Sequence, residues 1–402
     1  MQTQDVFIID AIRTPIGKFA GQLSSLRPDD MAATVIKELI SRNPKVPVDE
    51  IEDVVWGAAN QAGEDNRDVA RMAALLAGLP TTVAGVTVNR LCASGMQAIV
   101  DATRALQLGQ GDIYIAGGSE SMSRAPFVLA KAESAYDKSI NMFDTSLGWR
   151  FTNPKLADMY YPYSMGETAE NVADRYKLTR EHQDAFAHNS QLKYDQAKLK
   201  DIWQDEIVPL NVAAGKKGDT IQITTDEQPR LGSIEILAGL RTAFKKNGTV
   251  TAGNAAGLND GAAGVILANE VAIKRYSLKP MARVVSMGAA GVDPSVMGIG
   301  PVPASQKALK RAGLTVNDLH IIELNEAFAA QSLACIQELG LNPDIVNVNG
   351  GSIAIGHPLG CSGARITTTM MHEMQRNSNI KYGLATMCIG VGQGLAVVYE
   401  KV

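Results

Sequence analysis

One cysteine stands where a thiol could act as a nucleophile. A short β-branched run, Val86–Asn89, ends just before Cys92, which lies on the turn into an apolar helical pattern. Free N–H groups at a helix N-terminus favour negative charge, and such surroundings lower the pKa of a cysteine. The same pattern also fits a buried structural cysteine, a frequent fate of a free thiol. This stretch alone leaves both interpretations open.

A second turn, residues 349–363, is dense in glycine and contains a histidine. His357 is held between Gly356 and Pro358, a poor position for a core histidine. Glycine permits close approach of the backbone to a ligand. An imidazole that faces a thiol can take its proton, which is the arrangement of an activated nucleophile.

Two further stretches carry groups suited to the same chemistry. In residues 387–394 a strand pattern ends in a glycine-rich turn, and Cys388 there is a candidate acid or base beside N–H groups that could hold an oxyanion. Residues 323–329 read as a strand-to-helix junction with a short polar side chain, Asn325, at its mouth. Cys335 and Cys361 are better explained as packing thiols.

The elements that position these groups alternate between strand and helix. Strands are predicted at 6–9, 51–56, 86–89 and 112–116, and helices at 31–41 and 67–79. This βαβ alternation predicts a mostly parallel sheet covered by helices. From about 121 to 250 the chain is more polar and richer in tyrosine and tryptophan, which predicts an inserted lid or ligand-holding subdomain.

The second half of the chain repeats the order of elements of the first. Residues 87–91 have a counterpart in 347–351, each predicted as a strand that leads into a helix, and 112–118 have one in 383–390. Ligands of open α/β sheets lie beyond the carboxyl ends of the strands. We therefore expect the turns at 89–95 and 349–360 to lie side by side and to form one site.

Composition narrows the class of protein. The 402 residues are 46% hydrophobic and 20% charged, with a net charge of −4 and scattered Lys and Arg, which argues against nucleic acid or a membrane surface as the main partner. The first strand pattern follows no signal or transit pattern. The four cysteines lack CxxC spacing and read as reduced thiols, so we expect a cytoplasmic protein. None of the five histidines has metal-ligand spacing, and no metal is expected.

Taken together, the four stretches resemble the thiolases, which cleave a 3-ketoacyl-CoA with CoA or run the reverse Claisen condensation. The resemblance covers nearly the whole chain, from residues 10–15 to residues 388–394. It implies an α/β fold with a five-layered αβαβα core built from two duplicated halves. The N-terminal half would be residues 1–270, including an inserted CoA-binding loop domain at about 121–250, and the C-terminal half 278–402.

The resemblance also implies the catalytic roles. Cys92 would accept the acyl group, and His357 would be the base that activates it. Cys388 would move the proton on the α-carbon of acetyl-CoA. His357 and a water held by Asn325 would form one oxyanion hole, and the N–H groups of Cys92 and Gly390 the other.

For CoA, which would be a substrate and not a permanently bound cofactor, the resemblance implies five contacts. Arg230 would lie against the adenine, with Ala252, Ala256, Ser164 and Met165 as further contacts. Many thiolases carry a serine at the position of Ala256, so one hydrogen bond to the pantetheine would be missing here. Ser164 stands where short-chain biosynthetic thiolases carry a histidine. Met165 also fits the simpler role of core filler.

Residues 144–151 look closer to the degradative branch of the family, which includes the β-ketoadipyl-CoA thiolases. We therefore predict a degradative 3-ketoacyl-CoA thiolase of fatty-acid or aromatic-acid breakdown that acts on CoA and acyl-CoA thioesters. The alternative within the class is an acetoacetyl-CoA-forming acetyl-CoA C-acetyltransferase. A CoA-binding module without chemistry and a related condensing enzyme are the competing classes. Family members are homo-oligomers, dimers or tetramers.

Overall fold

The computed structural model describes residues 4–215 and 218–402. The first part of the chain alternates strands and helices. Its elements are β1 (Val6–Arg13), β2 (Gly17–Lys18), α1 (Pro28–Arg42), β3 (Ile51–Gly57), α2 (Val69–Leu76), β4 (Ala84–Val88), α3 (Ser94–Gln107) and β5 (Ile113–Ser121).

An inserted segment follows β5, and it contains mainly short elements. They are β6 (Phe127–Leu129), β7 (Met142–Asp144), α4 (Pro154–Met159), α5 (Met165–Tyr176), α6 (Arg180–Leu199), β8 (Leu210–Ala213), β9 (Thr220–Ile223) and α7 (Ile234–Ala238). In the part of this segment that the structure describes, β6 pairs with β7 and β8 pairs with β9. The insertion forms a single bridge with the main sheet, between Ile207 and Arg13 of β1, and its described strands remain outside that sheet.

The remaining elements return to the main sheet and complete it. They are β10 (Asn259–Asn269), α8 (Glu270–Tyr276), β11 (Ala282–Gly291), α9 (Pro301–Ala312), β12 (Ile321–Leu324), α10 (Ala329–Leu339), α11 (Ser352–Ile355), α12 (Leu359–Arg376), β13 (Tyr382–Ile389) and β14 (Gln393–Lys401). None of the helices that the structure describes is long and apolar enough to cross a membrane.

The sheet is mixed, so the prediction of a mostly parallel sheet is wrong. Its strand order is β12-β13-β14-β11-β1-β10-β5-β3-β4, with β2 also on β10. The pairs β3–β4, β3–β5 and β12–β13 are parallel, whereas the other pairs are antiparallel. Strand β10 explains the error, because it is buried along its whole length although it pairs antiparallel on both sides. A continuous apolar run is more typical of parallel strands.

Three apolar clusters place the helices in layers. Helices α3 and α12 contribute to one cluster with strands of both halves, so they form the middle layer. Helices α1 and α2 cover the outer face of the N-terminal strands, and α9 and α10 cover that of the C-terminal strands. The short β1–β11 pairing joins the two halves of the sheet, which lie on either side of this middle layer, so the order from outside to outside is helix, sheet half, helix, sheet half, helix. The predicted five-layered αβαβα core of two similar halves is confirmed.

One predicted strand of the duplicated unit is missing. Residues 347–351, which were predicted as a strand, do not form one. Just before them, Val346 forms a single β-bridge with Ile322. The backbone then turns through left-handed conformations at Asn347 and Gly350. The side chain of Asn347 bonds the N–H and C=O of Leu324, as a neighbouring strand would. The order of elements is thus repeated, but the side chain of Asn347 replaces the backbone hydrogen bonds of one pair of strands.

The two turns that precede α3 and α12 lie against each other, as the sequence predicted. A Cβ atom at Gly95 would lie 2.7 Å from the carbonyl oxygen of Gly360, and one at Gly118 would collide with the same carbonyl. Only glycine allows backbones to approach this closely. The absence of side chains at these positions brings α3, β5 and the start of α12 together.

Candidate active site

Cys92 lies two residues before the first residue of α3, with its side chain partly buried. The backbone N–H groups of Gly390 and of Cys92 itself lie close enough to the sulfur to favour its thiolate form. Burial nevertheless raises the pKa of Cys92 to about 11, and the two N–H groups oppose this shift only in part. The expectation of a lowered pKa was wrong because desolvation outweighs the helix terminus. The resting thiol is therefore protonated at neutral pH and needs a base.

The backbone is strained on both sides of this sulfur. Leu91, directly before Cys92, has φ +48°, and Val391, directly after Gly390, has φ +64°. A branched side chain such as valine is rarely found in the left-handed region, and such conformations cluster at functional sites. Here they flank Cys92 and Gly390, the two residues whose N–H groups favour the thiolate form of Cys92.

A cavity of about 270 Å³ opens in front of the thiol, and we call it the nucleophile cavity. Its lining combines the turn of Cys92, the β13–β14 turn and the inserted segment, and it includes Asn60, Cys92, Glu120, Arg150, Met165 and Gly390. The predicted residues Cys92, Gly390 and Met165 are therefore brought together in one place.

Backbone contacts with the side chain of Asn259 fix the position of His357. Gly356 has φ +115°, and a Cβ atom there would lie 2.6 Å from the side chain of Asn259. The N–H of His357 donates to Oδ1 of that same Asn259 at 2.8 Å. Burial, followed by the charge of Arg365, lowers the pKa of His357 to about 3. The imidazole is therefore neutral at physiological pH, as a base must be.

Hydrogen bonds around the ring assign its tautomer. Ser362 Oγ donates its only proton to the carbonyl of Pro358 at 2.8 Å, so at 2.6 Å it accepts from Nδ1–H of His357. Nε2 then carries the free lone pair. Among residues 4–215 and 218–402, no hydrogen bond joins this ring to the Cys92 thiol. Such bonds are often long in unliganded enzymes and tighten when substrate binds.

Asn325 lies beside the ring of His357, and a chain of hydrogen bonds on its other side fixes its orientation. Its Nδ2 is 3.4 Å from Nε2 and 3.5 Å from Nδ1 of His357, and its Oδ1 accepts a hydrogen bond of 2.6 Å from Ser352 Oγ. Ser352 Oγ in turn accepts from Nη2 of the buried Arg365 at 2.7 Å. This chain of bonds holds the NH₂ group of Asn325 towards the imidazole.

Cys388 lies in β13, where it is buried in an apolar cluster with Ala255, Met297 and Phe328. Burial raises the pKa of the Cys388 thiol well above its usual range, and the neighbouring Cys92 raises it further. The two sulfurs are therefore near enough to interact electrostatically. Both thiols keep their protons at rest.

Glu120, at the end of β5, is a buried carboxylate in the wall of the nucleophile cavity. It accepts hydrogen bonds from the backbone N–H groups of Ala59, Asn60 and Gly360 at 2.8–3.1 Å. Burial raises the pKa of Glu120 to about 7. It ties the β3 turn to the start of α12, two residues after His357. No role was predicted from the sequence for Glu120, Ser352, Ser362 or Arg365, because their hydrogen bonds depend on side-chain positions that local patterns do not reveal.

A second cavity, of about 640 Å³, adjoins the first, and we call it the loop-domain groove. All five residues predicted to contact CoA line this groove, namely Ser164, Met165, Arg230, Ala252 and Ala256. Met165 also lines the nucleophile cavity, so the two spaces are neighbours. Arg230 is directed by a hydrogen bond of 2.6 Å from Nη2 to the carbonyl of Ala252.

Ser164 has a structural function that the sequence analysis did not recognise. It is the N-cap of α5 and forms a capping box, in which its Oγ accepts from the N–H of Glu167 and the Glu167 carboxylate accepts from the N–H of Ser164. Met165 is the first residue of that helix. The cap therefore fixes the residue shared by the two cavities.

In the part of the chain that the structure describes, no group of three or more His, Cys, Asp or Glu side chains is placed to hold a metal ion. The site consists of two thiols, one neutral imidazole and backbone donors. Such a set suits acyl transfer through a thioester.

Comparison with known proteins agrees with this class of site. The thiolase N-terminal domain model matches residues 6–271, and the thiolase C-terminal domain model matches residues 278–401. The chain belongs to the thiolase family and is an acyltransferase.

Particular relatives are similar over their full length. The 3-oxoadipyl-CoA/3-oxo-5,6-dehydrosuberyl-CoA thiolase of Escherichia coli (strain K12) is 54% identical, over 99% of this chain and 100% of the relative. The acetyl-CoA acetyltransferase of Syntrophomonas wolfei is 46% identical, over 99% of both chains. The crystal structure of human mitochondrial 3-ketoacyl-CoA thiolase in complex with CoA has a TM-score of 0.91 at 38% identity, covering 99% of this chain and 98% of that one.

Proposed function

We propose that this chain is a degradative thiolase that cleaves 3-oxoadipyl-CoA with CoA to give acetyl-CoA and succinyl-CoA. The observation that carries the chemistry is the Cys92 thiol, which lies near the N–H groups of Gly390 and Cys92 inside a cavity that adjoins the loop-domain groove. The substrate is inferred from the E. coli relative, whose name includes 3-oxoadipyl-CoA.

In the first half-reaction, Nε2 of His357 takes the proton of Cys92, and the sulfur attacks the 3-keto carbon of the substrate. The N–H groups of Cys92 and Gly390, or His357 with an Asn325-bound water, hold the oxyanion. The bond between C2 and C3 then breaks, and its electron pair leaves as the enolate of acetyl-CoA. The Cys388 thiol donates a proton to C2, which leaves acetyl-CoA and acylated Cys92.

In the second half-reaction, the Cys388 thiolate takes the proton of an incoming CoA thiol. The CoA thiolate attacks the carbonyl carbon of the acyl group on Cys92. The Cys92 sulfur leaves and recovers its proton from His357. All protons return to their starting groups, so no cofactor is consumed.

CoA would enter along the loop-domain groove as a substrate. Arg230 is exposed, and its guanidinium suits a base or a phosphate at the mouth of the groove. Ala256 offers no side-chain hydrogen bond to the pantetheine, and loss of one neutral hydrogen bond costs about 1 kcal/mol. In this proposal the inserted segment, about residues 121–250, is the CoA-binding loop domain of an N-terminal half that spans 1–270.

The test is thiolysis, followed by the loss of enolate absorbance of a 3-ketoacyl-CoA after CoA is added. The wild type should cleave 3-oxoadipyl-CoA, and Cys92→Ser should lower kcat at least about a thousandfold. Cys388→Ala should abolish proton exchange at the α-carbon of acetyl-CoA. Equal, near-zero rates for wild type and Cys92→Ser would leave a CoA-binding module without chemistry.

A second candidate is acetoacetyl-CoA-forming acetyl-CoA acetyltransferase activity. The S. wolfei relative at 46% identity favours it. Comparing kcat/KM for acetoacetyl-CoA and 3-oxoadipyl-CoA separates the two. A clear preference for the smaller substrate would select the acetyltransferase.

We further propose that the protein is a cytoplasmic homo-oligomer, a dimer or tetramer. All four cysteines are free thiols, as expected in a reducing compartment. The hairpin of β6 and β7 carries three exposed apolar side chains, Phe127, Leu129 and Met142, and another copy of the chain would cover them.

A further inference from the structure

The nucleophile cavity contains one cation, Arg150, whose charge acts on the buried Glu120 but which, among the described residues, is bound directly to no other side chain. Arg150 lines this cavity and is partly buried. Among residues 4–215 and 218–402, it forms no hydrogen bond and no ion pair with another side chain. Glu120 is the other charged residue that lines this cavity. Both oxygens of Glu120 already accept backbone N–H bonds.

We propose that the guanidinium of Arg150 binds the carboxylate at the far end of the acyl group and so selects a dicarboxylic 3-oxoacyl-CoA over a monocarboxylic one. This inference rests on the proposed function, because it concerns the same cavity and the acyl group carried by Cys92. A guanidinium presents a planar fork of N–H donors that matches a carboxylate with two parallel hydrogen bonds.

The other polar side chains of the cavity wall are largely occupied. Nδ2 of Asn60 donates to the carbonyl and the hydroxyl of Thr145, and the Thr145 hydroxyl donates to the carbonyl of Pro126. Nε1 of Trp149 donates to the carbonyl of Tyr163. The rest of the lining is mostly apolar, with Met122, Ala125 and Leu147 among it. Among the described residues of this wall, Arg150 is a charged hydrogen-bond donor that has no hydrogen-bond partner.

Arg150 would affect the binding of charged and uncharged acyl groups in opposite directions. A carboxylate that entered this apolar cavity without a partner would lose its hydration and bind poorly. A methyl group at the same place would find the apolar wall but would leave Arg150 unpaired. Arg150 would therefore raise affinity for the charged acyl group and disfavour its uncharged counterpart.

The experiment compares two substrates that differ at the terminal group alone. 3-Oxoadipyl-CoA ends in a carboxylate, and 3-oxohexanoyl-CoA has the same number of acyl carbons and ends in a methyl. The readout is the ratio of kcat/KM for the two substrates, so that any effect on the shared chemistry cancels. Arg150→Gln should lower this ratio about tenfold to a hundredfold, the worth of a hydrogen-bonded charge. Arg150→Lys should restore part of it, because lysine keeps the charge without the fork.

Arg104→Gln is the matched control, since Arg104 is exposed on α3 and pairs with Asp101 away from both cavities. Its ratio should equal that of the wild type. A ratio unchanged in Arg150→Gln would overturn the assignment of Arg150 even if the wild type cleaves both substrates. A wild type that cleaves neither substrate would instead refute the proposed function, so the two failures can be told apart.

Discussion

At the scale of single residues, the Cys92 thiol and the His357 imidazole are both uncharged at rest, so the proton is transferred only during the reaction. The pKa of Cys92 is raised to about 11 and that of His357 is lowered to about 3. Between these values the thiol is protonated and the imidazole is neutral. The low-dielectric surroundings thus disfavour a resting thiolate–imidazolium pair, and the substrate oxyanion would carry the charge formed during attack.

This predicts how Cys92 reacts with iodoacetamide in the absence of substrate. Because a raised pKa keeps the proton on the sulfur, the labelling rate should be low at pH 7 and rise continuously up to pH 9. Mass spectrometry identifies the labelled residue, and the buried Cys335 and Cys361 serve as internal controls. A rate that is already at its plateau at pH 7 would mean that the ion pair forms at rest.

The bonds behind Asn325 give a second prediction at this scale. Ser352→Ala removes the hydroxyl that joins Arg365 to Oδ1 of Asn325, so the amide group loses its fixed orientation. We expect kcat for thiolysis to fall about tenfold to a hundredfold while KM for CoA changes little, because loss of one oxyanion-hole donor costs a factor of about 10²–10³ in kcat.

Ser352→Thr keeps a hydroxyl and should recover part of kcat if the site tolerates the methyl group. Circular dichroism and thermal melting of both variants monitor the fold. Equal losses in kcat and in affinity for CoA would contradict a role confined to positioning Asn325.

At the scale of elements, helix α5 connects stability with substrate binding. Its N-cap, Ser164, directly precedes Met165, which lines both cavities. Ser164→Ala should lower the free energy of unfolding by about 1 kcal/mol. It should also raise KM for CoA, because the first turn of α5 borders the loop-domain groove.

Asn153→Ala provides the comparison, since Asn153 caps α4 through the N–H of Lys155, and none of the residues of α4 lines either cavity. This variant should lose similar stability without a change in KM for CoA. If KM rises equally in both variants, the effect is not specific to α5.

The sequence was a good guide to elements and a poor guide to the pairs between them. The turn at Cys92, the junction at Asn325 and the strand that ends at Ile389 were all predicted at the correct places, because local glycine and apolar patterns define them. The direction of β10 was not, since a buried strand has the same pattern in either orientation.

The site was likewise predictable in part. Cys92, His357 and Cys388 each lie in a short motif that can be identified in the sequence alone. The raised pKa of Cys92 depends on burial in a cavity lined by residues of the inserted segment and of the β13–β14 turn, which no local motif reveals. The bonds of Ser352, Ser362 and Arg365 depend on exact side-chain positions in the fold.

At the scale of the whole molecule, the β6–β7 hairpin presents a small exposed apolar face. Its exposed residues Phe127, Leu129 and Met142 are 63%, 59% and 62% accessible, and Leu129 pairs across the strands with Met142 on the same face. A two-stranded hairpin with a bare apolar face is marginally stable in water. Contact with another copy of the chain would stabilise it.

We therefore expect the double variant Leu129→Ser, Met142→Ser to form a smaller assembly than the wild type. Sedimentation velocity measures the change in mass. Leu199→Ser is the control, because Leu199 is also exposed but lies at the end of α6. Identical masses for wild type and double variant would exclude the hairpin as an interface.

The position of β1 has a consequence for how the chain is made. Strand β1 pairs with β10 on one side and β11 on the other, and both of these strands follow it much later in the chain. Cys92 thus emerges from the ribosome long before the late strands and the base, His357, that complete its surroundings. Such non-local pairing slows folding. It also means that a nascent or truncated chain carries Cys92 without His357, so thiolysis can begin only when nearly the whole chain has folded.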